Sequence, residues 1–297
     1  TWVIASVEET LCSRWRELCR ASPDHRPALF KDSPTGCKAD DAKTQLPPSG
    51  GKLKPIIQLA PTTPPPTIAR FAYRSFDRQH LIADARTLDR ASPPLWSAHS
   101  ERQIYITSLF SQPLGVGPAL TCAAHIPDLD HFRGSYGAKA VMPLYRDASA
   151  SEPNILPGLL DRLRQAFGRA VTAEDFLAYV YGILAQPAFT DHFAGELGTR
   201  ELRVPITKRA DLFEQVRAAG ARLLWLHTYG ERFVPKGKHR GAVPKGMAKN
   251  IKAISGDAED YPDDYRYDAG SKTLHVGRGA FAPVAPEVFE FEVSGLK

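Results

Sequence analysis

The chain is poor in the features that most enzymes carry. Cysteine is scarce, with four in 297 residues (Cys12, Cys19, Cys37 and Cys122), none in the close pairs that hold zinc or staple a small secreted domain. With 43% hydrophobic residues, a chain of this length can build a core without cross-links, so a reducing cytoplasm is the expected compartment. No apolar run approaches the roughly 20 residues of a membrane span. The start, "TWVIASVEET", has no basic segment leading into an apolar one, which argues against a signal peptide. It also lacks an initiator Met, and the chain reads as a piece of something longer.

Catalytic motifs are missing too. There is no G-x-x-x-x-G-K-[ST] phosphate loop and no G-x-S-x-G elbow. "PLGVGPAL" (113 to 120) has two glycines, but Pro118 blocks a following helix. "HVGRGAF" (275 to 281) lacks a third glycine and a helical pattern behind it, so it is expected to be a turn. The Pro-Pro sites "LPPS", "TPPPT" and "SPPL" have no Asn or Asp before them with an aromatic after them, as a base-gripping methyltransferase motif requires. The chain is therefore expected to bind no cofactor and to hold no catalytic residue. Cys122, His125, Asp128, Asp130 and His131 do cluster in sequence, and a polar loop at a strand end is the simplest account. A stand-alone metal-dependent nuclease or hydrolase using Asp128, Asp130 and His131 is the alternative.

Charge is present in blocks rather than overall. The net charge is only +5, so a nucleic-acid partner must be argued from local clusters. "RFVPKGKHRGAVPKGMAKNIK" (232 to 252) carries seven Lys and Arg, one His and no acid. "DAEDYPDD" (257 to 264) then reverses the sign. A Gly/Pro-rich basic loop can be a solvated surface, or it can follow phosphates and release counterions. A basic surface that docks an acidic protein is a further alternative.

Patterning divides the chain. Residues 2 to 18 carry Ile4, Val7, Leu11, Trp15 and Leu18 at helical spacing. Residues 20 to 67, ending "APTTPPPT", are expected to be a loop or linker, so 1–67 forms a lead-in helix and a Pro-rich linker. "QIYITSL", "PALTCAA" and "KAVMPLY" mark strands in a sheet-rich unit, mixed or mostly antiparallel, over 68–150. Residues 151–297 form a helical unit. Ile155, Leu159, Leu160, Leu163 and Phe167 share one face. Thr172 and Asp175 form a capping box before Phe176, Leu177, Val180, Tyr181 and Leu184. A third helix directs Leu212, Val216, Ala219, Leu223 and Leu226 inward. "MAKNIKAI" suggests a short helix within the basic loop, "YRYDAGSKTLHV" a hairpin turning at Ala269 and Gly270, and "VFEFEV" (288 to 293) a strand. The expected class is α+β: a sheet-rich N-terminal half and a helical C-terminal half closing with a small antiparallel sheet.

"FAYRSFDRQHL" (71 to 81) resembles the Tyr-Arg-Pro-Phe-Asp signature in the C-terminal specificity region of type ISP restriction-modification enzymes and related N6-adenine DNA methyltransferases. Tyr73, Arg74, Phe76 and Asp77 match; Ser75 stands where the signature has Pro. "AVMPLYRD", "EPNI", "DFLAYVYGILAQPAFTDHFAGEL", "LRVPIT", "LFEQVRAAGARLLWLHTY" and "TLHVGRGAFAPVAPEVFEFEVSG" follow in the family's order, so the resemblance spans about residues 70 to 295. It implies a target-recognition domain that binds double-stranded DNA. Methyltransferase, nuclease and motor domains would lie elsewhere in the same parent chain, and S-adenosylmethionine would be bound there. Within this segment, Lys236, Lys238, His239, Arg240, Lys245 and Lys249 of the loop, with Arg78 and Arg86, are the expected DNA contacts. Arg90 is a further candidate, and Trp96, His99, Arg102 and Gln103 sit where a sheet loop could meet bases, ordinary loop surface being the alternative. Tyr73, Arg74, Phe76 and Asp77 are expected to be structural, with an Arg74–Asp77 pair holding a turn.

Overall fold

The computed structural model describes residues 2–30, 36–109, 119–132, 140–197, 203–254, 260 and 262–292. The first unit opens with β1 (Ile4–Ala5), α1 (Glu8–Arg20) and α2 (Arg26–Phe30). A small hairpin of β2 (Lys43–Thr44) and β3 (Lys52–Leu53) follows, then a hairpin of β4 (Ile68–Arg74) and β5 (Asp77–Ile82), and the short α3 (Pro93–Ser97). β6 (Tyr105–Leu109) is the centre of an antiparallel sheet between β7 (Ala119–Ala123) and β8 (Ala140–Pro143). The helical part comprises α4 (Leu159–Phe167), α5 (Ala173–Leu184), α6 (Pro187–His192), α7 (Ala194–Leu197) and α8 (Ala210–His227). A closing antiparallel sheet is built from β9 (Lys249–Lys252), β10 (Tyr265–Asp268), β11 (Thr273–Val276) and β12 (Gly279–Ala282), in the order β10-β11-β12-β9, followed by α9 (Pro286–Phe289). The class is α+β, with α4 to α8 falling between β8 and β9 in chain order.

Residues 2 to 18 do not form one helix. Ile4 pairs with Leu81 as a strand residue, and Val7 is the residue before α1, exposed. The stripe itself survives from Leu11 onward: Leu11, Trp15, Leu18 and Cys19 are buried. The segment after α1 is not an open linker either. Phe30, Cys37, Ala39 and Ile56 pack with α1 and with Ile82 of β5. Its prolines and polar residues hid a core because burial there is carried by isolated side chains, without a period. Arg26 is the polar centre of this unit, donating to the carbonyls of Ala21, Cys19 and Ile56.

In the helical part the capping box is formed: the Asp175 N–H donates to Thr172 Oγ1, and the Thr172 N–H to Asp175 Oδ2. α5 packs along α8, with Tyr179 stacked on Phe213 at a centroid distance of 4.6 Å. α8 buries Phe213, Gly220, Leu224 and Trp225, a face one residue on from the expected one, and leaves Leu212 exposed. Apolar residues ring much of this helix, so periodicity leaves its orientation open; the glycine fixes it by allowing close approach to α5. The 265 to 276 hairpin forms as expected. "MAKNIKAI" instead supplies β9, because β12 offers a free edge to pair with. "VFEFEV" is not a strand in its described part: Phe289 ends α9 and stacks on Tyr267 at 4.4 Å. Val293 lies outside the described residues.

Candidate nucleic-acid interface

The basic segment begins where α8 stops. Tyr229 and Phe233 take positive φ, and Gly230 (φ +76°) lets the chain turn back on the helix end. A Cβ on Gly230 would lie 3.0 Å from Gly241 Cα, so the two ends of the loop touch backbone to backbone. The Gly241 N–H donates to the Gly230 carbonyl at 3.0 Å. Between these points residues 235–240 form an exposed arch, tightened by a bond from the Lys238 N–H to the Pro235 carbonyl. Lys236, Lys238 and His239 lie on the arch, Lys245 follows it, and Lys249 is on β9; all are exposed. Arg240 is also exposed, but it pairs with Glu101 and donates to the Glu101 and Glu231 carbonyls, so it clips the arch to the body.

Arg232 anchors the loop from inside. It is buried, and its guanidinium donates to the carbonyls of Gln103 (2.6 Å), Ala124 (2.8 Å), Glu231 (3.1 Å) and Ser100 (3.3 Å). A planar five-donor head can serve carbonyls from several segments at once; a lysine cannot. Arg232→Ala is expected to lower stability by roughly 2 kcal/mol, because buried carbonyls lose their donors. Arg232→Lys should recover only part of this. Urea unfolding of the two variants checks it; equal stability to the parent would show that water replaces the guanidinium without cost. Nothing in the sequence set Arg232 apart from the exposed cations around it.

The signature hairpin docks on the same place. Ser75 and Phe76 form the turn between β4 and β5, with Phe76 at φ +58°. The Phe76 carbonyl accepts from the Tyr229 hydroxyl, and its ring meets His227 edge-on at 4.9 Å. Arg78 lies 4.0 Å over the Tyr229 ring and pairs with Glu231. His125 Nε2 lies 2.7 Å from Glu231 Oε2 without the alignment of a hydrogen bond. Burial raises the Glu231 carboxyl, but His125 and Arg78 overcome it and bring the pKa down to about 2. Phe76 and Arg78 thus mount the base of the loop on the sheet unit, and Arg78 spends its charge on Glu231.

The expected Arg74–Asp77 pair is not formed. Arg74 reaches Asp128 at 2.9 Å and covers the Tyr73 ring, while Asp77 accepts from Gln79. The two residues are instead backbone partners at the hairpin end, where a bulge shifts the register. Arg86 is a second correction. It is buried and forks onto Asp84 at 2.9 and 2.6 Å, with a third bond to the Lys54 carbonyl, so its head is turned away from any surface ligand. Gln103 is buried as well, bonded to Ala98 and to both backbone groups of Tyr145, and is no base reader. Arg102 pairs with Glu174, and Arg90 is exposed.

The acidic cluster after β7 does not converge on a metal. Asp128 is used by Arg74 and the Asp130 N–H, and His131 Nδ1 donates to the Ala72 carbonyl. Among the described residues, no three His, Cys, Asp or Glu side chains are placed to hold an ion. Asp260 of the acidic run pairs with Arg278 in the turn after β11, not with the basic arch. No helix of the described residues is long and apolar enough to cross a membrane.

Solved structures give the fold a context. The chain aligns over 99% of its length with a cryo-electron microscopy structure of a DrdV–DNA complex (TM-score 0.59, 15% identity) and with the ATP-dependent Type ISP restriction-modification enzyme LlaBIII bound to DNA (TM-score 0.57, 14% identity). A nuclease-deletion mutant of the Type ISP enzyme LlaGI, in complex with a DNA substrate mimic, aligns over the same share at TM-score 0.50 and 13% identity. This chain spans 29%, 19% and 26% of those three chains, respectively. At such identities the likeness is one of fold. No curated protein sequence matches the chain. A family model, the Type ISP C-terminal specificity domain, matches residues 1–297 from end to end, in accord with the signature hairpin and the ordered blocks that follow it. By that match the chain belongs to the Type ISP C-terminal specificity domain family.

Proposed function

We propose that this chain recognises a specific sequence in duplex DNA on behalf of a larger restriction-modification enzyme. The observation that carries this is the arch itself. Lys236, Lys238, His239 and Lys245 are exposed, and no acid among the described residues pairs with them, while the base beneath is fixed by Arg232, Arg240, Tyr229 and the Phe76 turn. Free cations on a rigid mount attract phosphates without having to break ion pairs first. The same feature in a protein-docking module would require an acidic protein surface instead.

In this role the domain seats the duplex so that a separate domain of the parent extrudes and methylates an adenine at N6, drawing on S-adenosylmethionine bound there. The setting is cytoplasmic, and the parent is a site-specific adenine DNA methyltransferase with or without a nuclease. Lys238→Ala is expected to weaken all duplexes alike and to reduce the slope of log K against log salt by about 0.9. Titrations of labelled duplex at several salt concentrations measure it. Unchanged affinity and slope in both Lys238→Ala and Lys236→Ala would remove the arch from the DNA surface.

A further inference from the structure

β9 leaves the basic loop and becomes the outer strand of the closing sheet. All four of its residues, Lys249, Asn250, Ile251 and Lys252, are exposed, and Ile251 keeps 61% of its surface in water. An open, polar-and-apolar edge strand is a liability unless something uses it. Its register carries a bulge: Asn250 opposes Phe281 and Lys252 opposes Ala280, so Ile251 has no partner in the ladder.

The two faces of this sheet are unlike. One face carries Tyr267, Leu274, Phe281 and, on β9, the exposed Asn250 in a cross-strand row, and Phe289 of α9 stacks on Tyr267 at the far end of it. The other face carries the row Arg266, His275, Ala280 and Lys252, with Lys249 opposite Ala282 one step along. Arg266, Lys249 and Lys252 are exposed, His275 is half-buried, and Ala280 makes a low floor between His275 and Lys252. Asp264 immediately precedes β10 and Asp268 ends it, on the strand farthest from β9, and Asp260 pairs with Arg278 in the turn between β11 and β12. Asp268 is occupied by the turn, accepting from the Gly270 and Ser271 N–H groups. Positive charge therefore concentrates toward the free edge.

We infer that β9 is a groove-reading strand, entering the major groove edge-on, with Asn250 on the face away from the lysines and the unpaired Ile251 at the bulge meeting base edges. This rests on the assignment of the chain to duplex DNA. Stacked sheets lie about 10 Å apart, the room that one sheet with its side chains takes up, and the major groove is about 12 Å wide. Lys249, Lys252, His275 and Arg266 then lie along one wall, against the phosphates of one strand. Asn250 offers the amide that matches adenine N6 and N7, and Ile251 an apolar group for a thymine methyl. The occupant is a duplex containing A·T pairs, reached directly from the arch, since β9 is its continuation.

The test is selection from a random duplex pool with the full 297-residue chain, alongside Asn250→Ala, Ile251→Ala and a Lys249→Ala/Lys252→Ala double variant. Because these residues are exposed, all should melt with the parent. Asn250→Ala is expected to relax preference at one adenine by about tenfold, with the rest of the motif kept. The double lysine variant should keep the motif, bind every duplex less tightly and lose about 1.8 from the salt slope. If Asn250→Ala and Ile251→Ala select the parent's motif with undiminished preference, β9 does not read bases, and the DNA assignment stands on the arch alone. If the parent chain enriches no motif and binds no duplex at low salt, the underlying assignment fails and this one fails with it.

Discussion

Acid is expected to unfold this chain cooperatively, with stability falling steeply between pH 6.5 and about pH 4. Three histidines have pKa values lowered to about 4, each mainly by burial. His131 is almost fully enclosed, donates from Nδ1 to the Ala72 carbonyl and faces Arg74, whose charge lowers it further. His99 stacks on Tyr105 and lies near His125 and Arg232, both of which oppose its protonation. His227 sits between the Phe76 ring and the Tyr181 hydroxyl, which lies 2.7 Å from its Nδ1. In the unfolded chain each takes a proton near pH 6.5; in the folded chain each resists until about pH 4. Over that window the unfolded state binds more protons, so stability falls as pH falls and changes little above pH 7. A fully enclosed site such as His131 accounts for up to about 3 kcal/mol, and the two partly exposed ones for less. Glu231, held down to about 2, extends the loss below pH 4.5. Asp128 works the other way, since burial raises it and its protonation relieves the fold. Urea midpoints at half-unit pH steps measure the net effect. A flat profile from pH 6.5 to 4.5 would mean that the histidines protonate in place.

The elements that sequence conveyed well are those whose information is local. The capping box of Thr172 and Asp175, the strands around Tyr105 and Cys122, and the 265 to 276 hairpin each depend on a few neighbouring residues. The misplacements share a different cause: partners distant in the chain. Ile4 is a strand residue because β5 presents an edge to it, and Lys249 is a strand residue because β12 does. Phe289 is drawn into a turn of helix by the Tyr267 ring. The candidate site divides the same way. That residues 232 to 252 carry one block of basic charge was readable from the sequence, but charge does not separate the cations by role. Arg232 and Arg86 are interior scaffolding, Arg78 and Arg240 are clips, and the loop lysines, with His239, stay open to a ligand. The signature turn was legible as a structural device, and its purpose became clear only from the Tyr229 and His227 contacts that bind it to the loop base.

Gly220→Ala is expected to disrupt the fold more than any other single methyl group added to the helical part. A Cβ at this position would fall 1.8 Å from the Ala178 carbonyl oxygen and 2.9 Å from the Gly182 N, both backbone atoms of α5 that cannot rotate away. The helices would have to separate, loosening the Tyr179–Phe213 stack and the burial of Leu224. The expected cost is about 3 kcal/mol or more, at the upper end of overpacking effects. Gly182→Ala should cost less, since its nearest contact is the Val216 carbonyl at 2.8 Å. Gly195, on α7, has nothing within 4 Å of an added Cβ, so Gly195→Ala should be neutral or gain up to about 1 kcal/mol from helix propensity. Because the arch starts from the last turn of α8, the effect reaches beyond stability. Shifting α8 moves Thr228, Tyr229 and Arg232 away from Phe76 and Gln103, so Gly220→Ala should weaken duplex binding under conditions where the protein is still folded. Urea unfolding of the three glycine variants, followed by duplex titration of each in buffer, checks both parts. A Gly220→Ala variant as stable as the parent would mean that α5 and α8 can move apart freely, and that the loop is not positioned by their contact.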